Sequence, residues 1–340
     1  MLESFVHLRI HTEFSLVDSI VRVKPLVKKV AELGMPACAI SDIGNFFGLI
    51  KFYKAAQGMG VKPLAACDFW IPSELDDSGK SLITLIAMDL VGYKNIIQII
   101  SKGYLYGQVI GGTMIQMDWI IEHSEGVIAL SGGRQGEIGQ ALLSGRNEVA
   151  LSRLEFFKNL FADRFYLEIT RTQRQGEEDY IHQVVPLADQ LQVPIVATND
   201  VRFLAQSQFE IHEARVCITE GRTLTDPRRE RAFTDAQYLK SPEEMQALFS
   251  DLPDAIVNSV EIAKRCNLSI QLGKYFLPEY PIPEGMTENE FFADITKKGL
   301  EKRLSKIFDV ASADLDQKRQ PYDKRINFEL DIITQMGFAG

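Results

Sequence analysis

Residues 6–41, VHLRIHTEFSLVDSIVRVKPLVKKVAELGMPACAIS, carry the pattern from which the fold is read. Val6–Ile10 alternates apolar and polar residues and reads as a β-strand. Pro25–Leu33 reads as a helix with proline in its first turn, stopped by Gly34. Ala37–Ser41 is an unbroken run of small and apolar residues, the mark of a buried strand. Strand, helix and strand in succession make the unit from which parallel sheets are built.

The rhythm continues. Phe47–Gln57 reads as helical, Lys62–Ala66 as extended, Leu82–Met88 as a strand and Tyr93–Lys102 as a helix. Gly126–Leu130, Phe165–Ile169 and Pro194–Thr198 complete the strands, with Glu148–Leu160 and Glu177–Leu191 helical between them. The expectation is an α/β domain with a mostly parallel sheet, open or closed into a barrel. After Arg265 the rhythm stops. Tyr275–Gly285 (YFLPEYPIPEG) reads as a proline-rich linker, and Glu288–Phe308 and Tyr322–Met336 read as helices. Residues 1–270 are therefore expected to form one domain, and 271–340 the start of another, cut short.

Composition narrows the function classes. With 46% hydrophobic and 24% charged residues, the 340-residue chain has the make-up of a globular protein. A net charge of −9 argues against a general nucleic-acid-coating role. The cysteines, Cys38, Cys67, Cys217 and Cys266, have neither disulfide nor zinc-knuckle spacing, which favours a reducing cytoplasm. No apolar run is long enough to span a membrane, and Met1–His11 lacks the shape of a signal peptide.

The informative polar residues follow the strands. A period of two places His7, Arg9 and His11 on one strand face. Asp18 comes soon after; Asp42 ends one strand run, Asp68 follows the next, and Asp200 and Arg202 follow the last. In parallel α/β folds such positions meet at one mouth. Histidine and carboxylates gathered there are the raw material of a metal-dependent phosphoesterase. Against this, the chain has only five histidines, and a lone aspartate at a strand end more often caps a turn.

The segments HLRIHTEFSLVDSI, AISDIGNFFGLIKFYKAAQGMGVKPLAACDFWI, VIALSGGRQGE, FYLEITR and VPIVATNDVRFL resemble the polymerase-and-histidinol-phosphatase (PHP) domain, in the form that opens bacterial DNA polymerase III alpha subunits. The resemblance implies a distorted seven-stranded (βα) barrel, followed by the truncated start of a polymerase palm region. It also implies a site that holds up to three metals in intact members. Carried over, the ligand positions fall at Arg9, His11, Asp18, Ile43, Asp68, Leu82, Gly133, Asp200 and Arg202. His11, Asp18, Asp68 and Asp200 keep ligating side chains. Arg9, Ile43, Leu82, Gly133 and Arg202 do not, because a guanidinium is permanently protonated and the other three side chains offer no donor atom. The implication is a vestigial cluster with no catalytic residue and no bound metal. Arg9 or Arg202 is expected to contact Asp18, Asp68 or Asp200.

The implied role is a non-catalytic scaffold in DNA replication that stabilises the polymerase and docks the proofreading exonuclease subunit, epsilon. Other implied partners are the rest of the polymerase chain and, through it, DNA. The Mg²⁺ and the palm carboxylates of nucleotidyl transfer belong to that remainder. The alternative is a metal-dependent 3′-5′ exonuclease or phosphoesterase with partial activity. SGGRQGE, which could pass for a phosphate loop, lacks its lysine and reads as a turn opening a helix.

Overall fold

The computed structural model describes residues 4–75, 79–274, 280–309 and 311–340. They divide into two compact units, Met1–Ile270 and Gln271–Gly340. Half of the proline-rich stretch expected to be a linker, residues 275–279, lies outside the described residues.

The first unit is α/β. Its large sheet contains β1 (Ala37–Ile43), β2 (Lys62–Pro72), β3 (Lys80–Ala87), β6 (Val127–Leu130), β7 (Phe165–Thr170) and β8 (Ile195–Thr198), in that spatial order. A separate small hairpin pairs β4 (Gln108–Val109) with β5 (Gly112–Thr113). The helices of this unit are α1 (Val23–Glu32), α2 (Leu49–Gly58), α3 (Leu90–Tyr106), α4 (Met117–Glu122), α5 (Glu137–Leu143), α6 (Asn147–Phe161), α7 (Glu177–Leu191), α8 (Phe209–Glu220), α9 (Pro242–Leu248) and α10 (Pro253–Arg265).

The sheet is mixed, which corrects the expectation of a mostly parallel one. β3 runs antiparallel to both of its neighbours, whereas β1–β2, β6–β7 and β7–β8 are parallel. The cause is the connection after Pro72: the few residues before Lys80 allow a hairpin but not the helical crossover a parallel neighbour needs.

The sheet curls, and the segment around Val6–Ile10 touches both of its ends. The Ala39 N–H donates to the His7 carbonyl and the Ser41 N–H to the Ile10 carbonyl, on the β1 side. The Val201 N–H donates to the Arg9 carbonyl and the His11 N–H to the Val201 carbonyl, just beyond β8. The donors on β1 are two residues apart while their acceptors are three apart, so the segment carries one extra residue, a bulge. This overturns the expected single face for His7, Arg9 and His11. Leu8 joins Val6 in the inward apolar cluster, Arg9 and His11 enter a cleft, and His7 turns elsewhere, its Nε2–H donating to the Lys240 carbonyl.

Two apolar layers hold the unit together. The larger lies between the sheet and its flanking helices, with Phe52, Ile96, Leu154, Phe161 and Val184 fully buried. The smaller fills one half of the inner face with Val6, Leu8, Leu64, Ile86, Leu130 and Val196, plugged by Ile262, Ala263 and Cys266 of α10 and the turn after it. Gly132 shows how tight the packing is: a Cβ there would sit 2.1 Å from the Leu82 carbonyl oxygen.

The second unit contains α11 (Glu288–Ile307), opened by a Thr287/Glu290 capping box, and α12 (Leu315–Gln335). The second helix begins earlier than Tyr322. Pro321 lies inside it, where proline removes one backbone hydrogen bond without ending the helix. Among the described residues no helix is long and apolar enough to cross a membrane.

Candidate functional site

The bulge, the inner face of β2 and β7 and the turn after β8 bring charged side chains together above the inner apolar layer. Arg9 is 2% exposed and its guanidinium faces three carboxylates. Its Nε–H donates to Asp68 Oδ2 at 2.8 Å, and its terminal nitrogens lie 3.5 Å from Glu168 Oε1 and 3.4 Å from Asp200 Oδ1. Asp68 Oδ2 is also 2.9 Å from His11 Nε2, and Asp68 Oδ1 accepts from Thr84 Oγ1 at 2.6 Å. Burial opposes ionisation of Asp68, but the charges of Arg9 and His11 outweigh it and hold its pKa below the usual range. For Arg9 the same balance runs the other way: burial disfavours its charge, and Asp200, Asp68 and Glu168 raise its pKa.

Asp200 is the second hub. Arg202 places both Nε and Nη2 on Asp200 Oδ1, at 3.1 and 2.7 Å, while Arg174 Nη1 and Gln237 Nε2 donate to Oδ2 at 2.9 and 3.0 Å. Its backbone has φ of 46°, a left-handed conformation that aspartate tolerates better than most residues. Burial would raise its pKa; Arg202, Arg9 and Arg174 together pull it well below the ordinary carboxylate value. The remaining Arg202 nitrogen, Nη1, donates to Asp18 Oδ2, so Asp18 and Asp200 share one guanidinium. Phe233 lies over that guanidinium, 5.4 Å from ring centre to carbon. The His212 Nε2–H fixes the Asp18 carbonyl at 2.9 Å, which gives His212 a positioning role rather than a ligating one.

Of the vestigial residues, then, His11, Asp18, Asp68 and Asp200 come together, with Arg9 and Arg202 between them. Ile43 and Leu82 line the same cleft with hydrocarbon. Gly133 contributes backbone only, with φ of 58°. Asp42, which the strand-end pattern placed at the mouth, instead pins the first loop: its carboxylate accepts from the Thr12 N–H, Thr12 Oγ1 and Ser15 Oγ, each at 2.7 Å. Burial lifts its pKa despite those bonds.

Glu168 and Arg174 escape the sequence reading. Glu168 is fully buried, bonded to Thr198 Oγ1, with Oε2 unpartnered. Burial raises its pKa against the pull of Arg9 and Thr198. A charged residue inside the apolar run FYLEI, in step with inward-facing Tyr166, was the available signal. Arg174 sits in a loop after β7 without periodicity to mark it. Its inclusion gives three guanidinium groups (Arg9, Arg174, Arg202) set among the carboxylates of Asp18, Asp68, Glu168, Glu177 and Asp200, so that each buried charge has a partner of opposite sign.

The cleft above the cluster measures about 430 Å³ and is also lined by Arg134, Arg231, Trp70 and Phe233. Among the described residues no group of three or more histidine, cysteine, aspartate or glutamate side chains is arranged to hold a metal ion. Both oxygens of Asp68 and of Asp200 accept from guanidinium, imidazole, hydroxyl or amide groups, while Asp18 Oδ1 and Glu168 Oε2 are buried without a hydrogen-bond partner.

The PHP domain family model matches residues 7–172. Over 340 residues the chain is 53% identical to DNA polymerase III subunit alpha of Pseudomonas aeruginosa, and over 336 residues 46% identical to that of Escherichia coli K12. These matches cover 100% and 99% of the chain but only 29% of each relative, so the chain spans less than a third of their length. Among solved structures, an amidohydrolase from Chromobacterium violaceum with bound sulfate matches with a TM-score of 0.41 and 11% identity, covering 62% of this chain and 97% of that one.

Proposed function

Residues 7–172 belong to the PHP domain family, and on that premise we propose that this chain is a metal-free, non-catalytic part of a cytoplasmic replicative DNA polymerase alpha subunit. In this role it stabilises the polymerase and docks the proofreading exonuclease subunit, epsilon. We take the curled sheet, with the Val6–Ile10 segment bonded to both ends, as the distorted seven-stranded barrel of PHP type, and residues 271–340 as the start of the palm region.

The observation that carries the proposal is the placing of Arg9 and Arg202 among Asp18, Asp68 and Asp200. The family's metals do not fit this cluster. Arg9 and Arg202 bring positive charge where cations would bind and occupy one oxygen each of Asp18, Asp68 and Asp200, and Ile43, Leu82 and Gly133 supply no ligand atom. Polymerisation, its Mg²⁺ and its DNA contacts belong to the rest of the polymerase.

Two measurements on the 340-residue chain test this. Surface plasmon resonance should detect the exonuclease subunit at micromolar concentration or below; absence of binding there contradicts the docking role. Incubation with Mn²⁺, Zn²⁺ or Mg²⁺ and end-labelled single-stranded DNA should release no nucleotide. Metal-dependent release that disappears in Asp68→Asn would instead establish the 3′-5′ exonuclease alternative.

A further inference from the structure

Beside the arginine cleft lies a second depression of about 860 Å³, and the two share Asp18, Ile43, Trp70 and Phe233. Their chemistry differs. The second is bordered by Leu16, Val17, Tyr104, Val109, Ile110 and Val216. Several of these are turned outward: Leu16 is 62% exposed and Ile110, at the tip of the β4–β5 hairpin, is wholly exposed. Leu16 also holds φ of 67°, an unfavourable region for a leucine, while presenting that side chain to water. An apolar trough of this kind marks a contact surface.

The arginine cleft supplies the complementary half. Arg9, Arg174 and Arg202 already have carboxylate partners. Among the described residues Arg134 lines the same cleft without one: its Nε is buried and bonded to no oxygen, and burial together with neighbouring Arg174 disfavours its charge. An incoming carboxylate would relieve both defects, and a guanidinium fork matches it in geometry.

We propose that cleft and trough form one continuous binding surface for a partner polypeptide segment, with aliphatic side chains seated against Leu16, Val109 and Ile110 and an adjacent aspartate or glutamate reaching Arg134. The inference rests on the reading of this domain as a docking body and adds the chemistry of what docks. A peptide suits the surface better than single-stranded DNA. The trough is mostly aliphatic rather than aromatic, so it offers few platforms on which successive bases could stack.

The test uses fluorescein-labelled overlapping peptides tiled across the exonuclease subunit, and the intact subunit, each titrated with the 340-residue chain by fluorescence anisotropy. Ile110→Asp alters an exposed tip and Arg134→Glu a cleft side chain whose Nε is unbonded, and circular dichroism should show both variants folded as the parent is. The expected result is a binding peptide with an acidic residue beside aliphatic ones, weakened at least tenfold by either variant. Changing that acidic residue to lysine should restore binding to Arg134→Glu. If the intact subunit binds parent and variants equally, or binds while no peptide does, the surface proposed here is wrong and the docking role stands. If the intact subunit does not bind the parent chain, the docking role itself falls and this inference with it. Tighter binding of an oligo-dT strand than of any peptide, lost in Arg134→Glu, would make the surface a nucleic-acid site and overturn the proposal.

Discussion

Val6, Leu8, Leu64, Ile86, Leu130 and Val196 fill one half of the sheet's inner face, and Arg9, Asp68, Glu168 and Asp200 fill the other, often one to four residues further along the same segments. Both halves are almost fully buried. They are held by different physics. The apolar half is stabilised by removal of hydrocarbon from water and by close packing, neither of which depends on a particular partner. In the charged half each ion is tolerable only because its counter-ions are in place, since desolvation costs several kcal/mol per charge. Shape can be approximated in the first half; charge must balance in the second.

Breaking a pair should therefore have the largest effect. Arg9→Met strips Asp68 and Asp200 of a shared cation and should destabilise the chain by about 3–5 kcal/mol in urea unfolding. Adding Asp68→Asn should recover part of that loss, because the deserted carboxylate is removed as well. Strict additivity of the two changes would mean that the halves do not differ in the way described.

Leu8→Ala should cost about 3 kcal/mol through lost burial and a cavity, and no second substitution among the charged residues should rescue it.

Acid should separate the halves next. Asp68 and Asp200 have folded pKa values below their unfolded ones, so their contribution is present above about pH 3.9 and is lost as pH falls through the lower folded values. Stability measured at steps from pH 5 to pH 2 should fall, and fall less in Asp200→Asn.

The smallest effect should come from Glu168→Gln. The Glu168 pKa is raised, so its contribution is present below the unfolded value near 4.3 and is lost as pH rises through the raised folded value. At neutral pH the amide should change stability by no more than about 1 kcal/mol, in either direction. A loss as large as that of Arg9→Met would show that Glu168 is an essential anion of the network.

The legible and illegible parts of this molecule follow the same division. Hydrophobic period and stop signals marked Pro25–Leu33, Ala37–Ser41 and Glu177–Leu191 within a residue or two of α1, β1 and α7, because packing imposes its period directly on sequence. Asp18 and Asp200 were legible as polar residues following strands; Asp68, expected just beyond a strand ending at Ala66, lies inside β2, which continues to Pro72. Three features were not legible. The extra residue near Leu8 alters the facing of the first segment, and nothing in VHLRIH distinguishes a bulge from a regular strand. The antiparallel course of β3 depends on the length of a connection rather than on the composition of the strand. Arg174 and Gln237 reach Asp200 from loops, where side-chain direction has no period to betray it.

The most direct test of the central claim is calorimetric titration of the metal-stripped chain with Zn²⁺ and Mn²⁺ at neutral pH, checked by elemental analysis of the recovered protein. With guanidinium groups seated among Asp18, Asp68 and Asp200, no saturable heat at micromolar metal and no stoichiometric retention should be found. Two or three retained ions per chain, abolished by Asp68→Asn or Asp200→Asn, would mean that Arg9 and Arg202 yield their places and that the site is a metal centre after all.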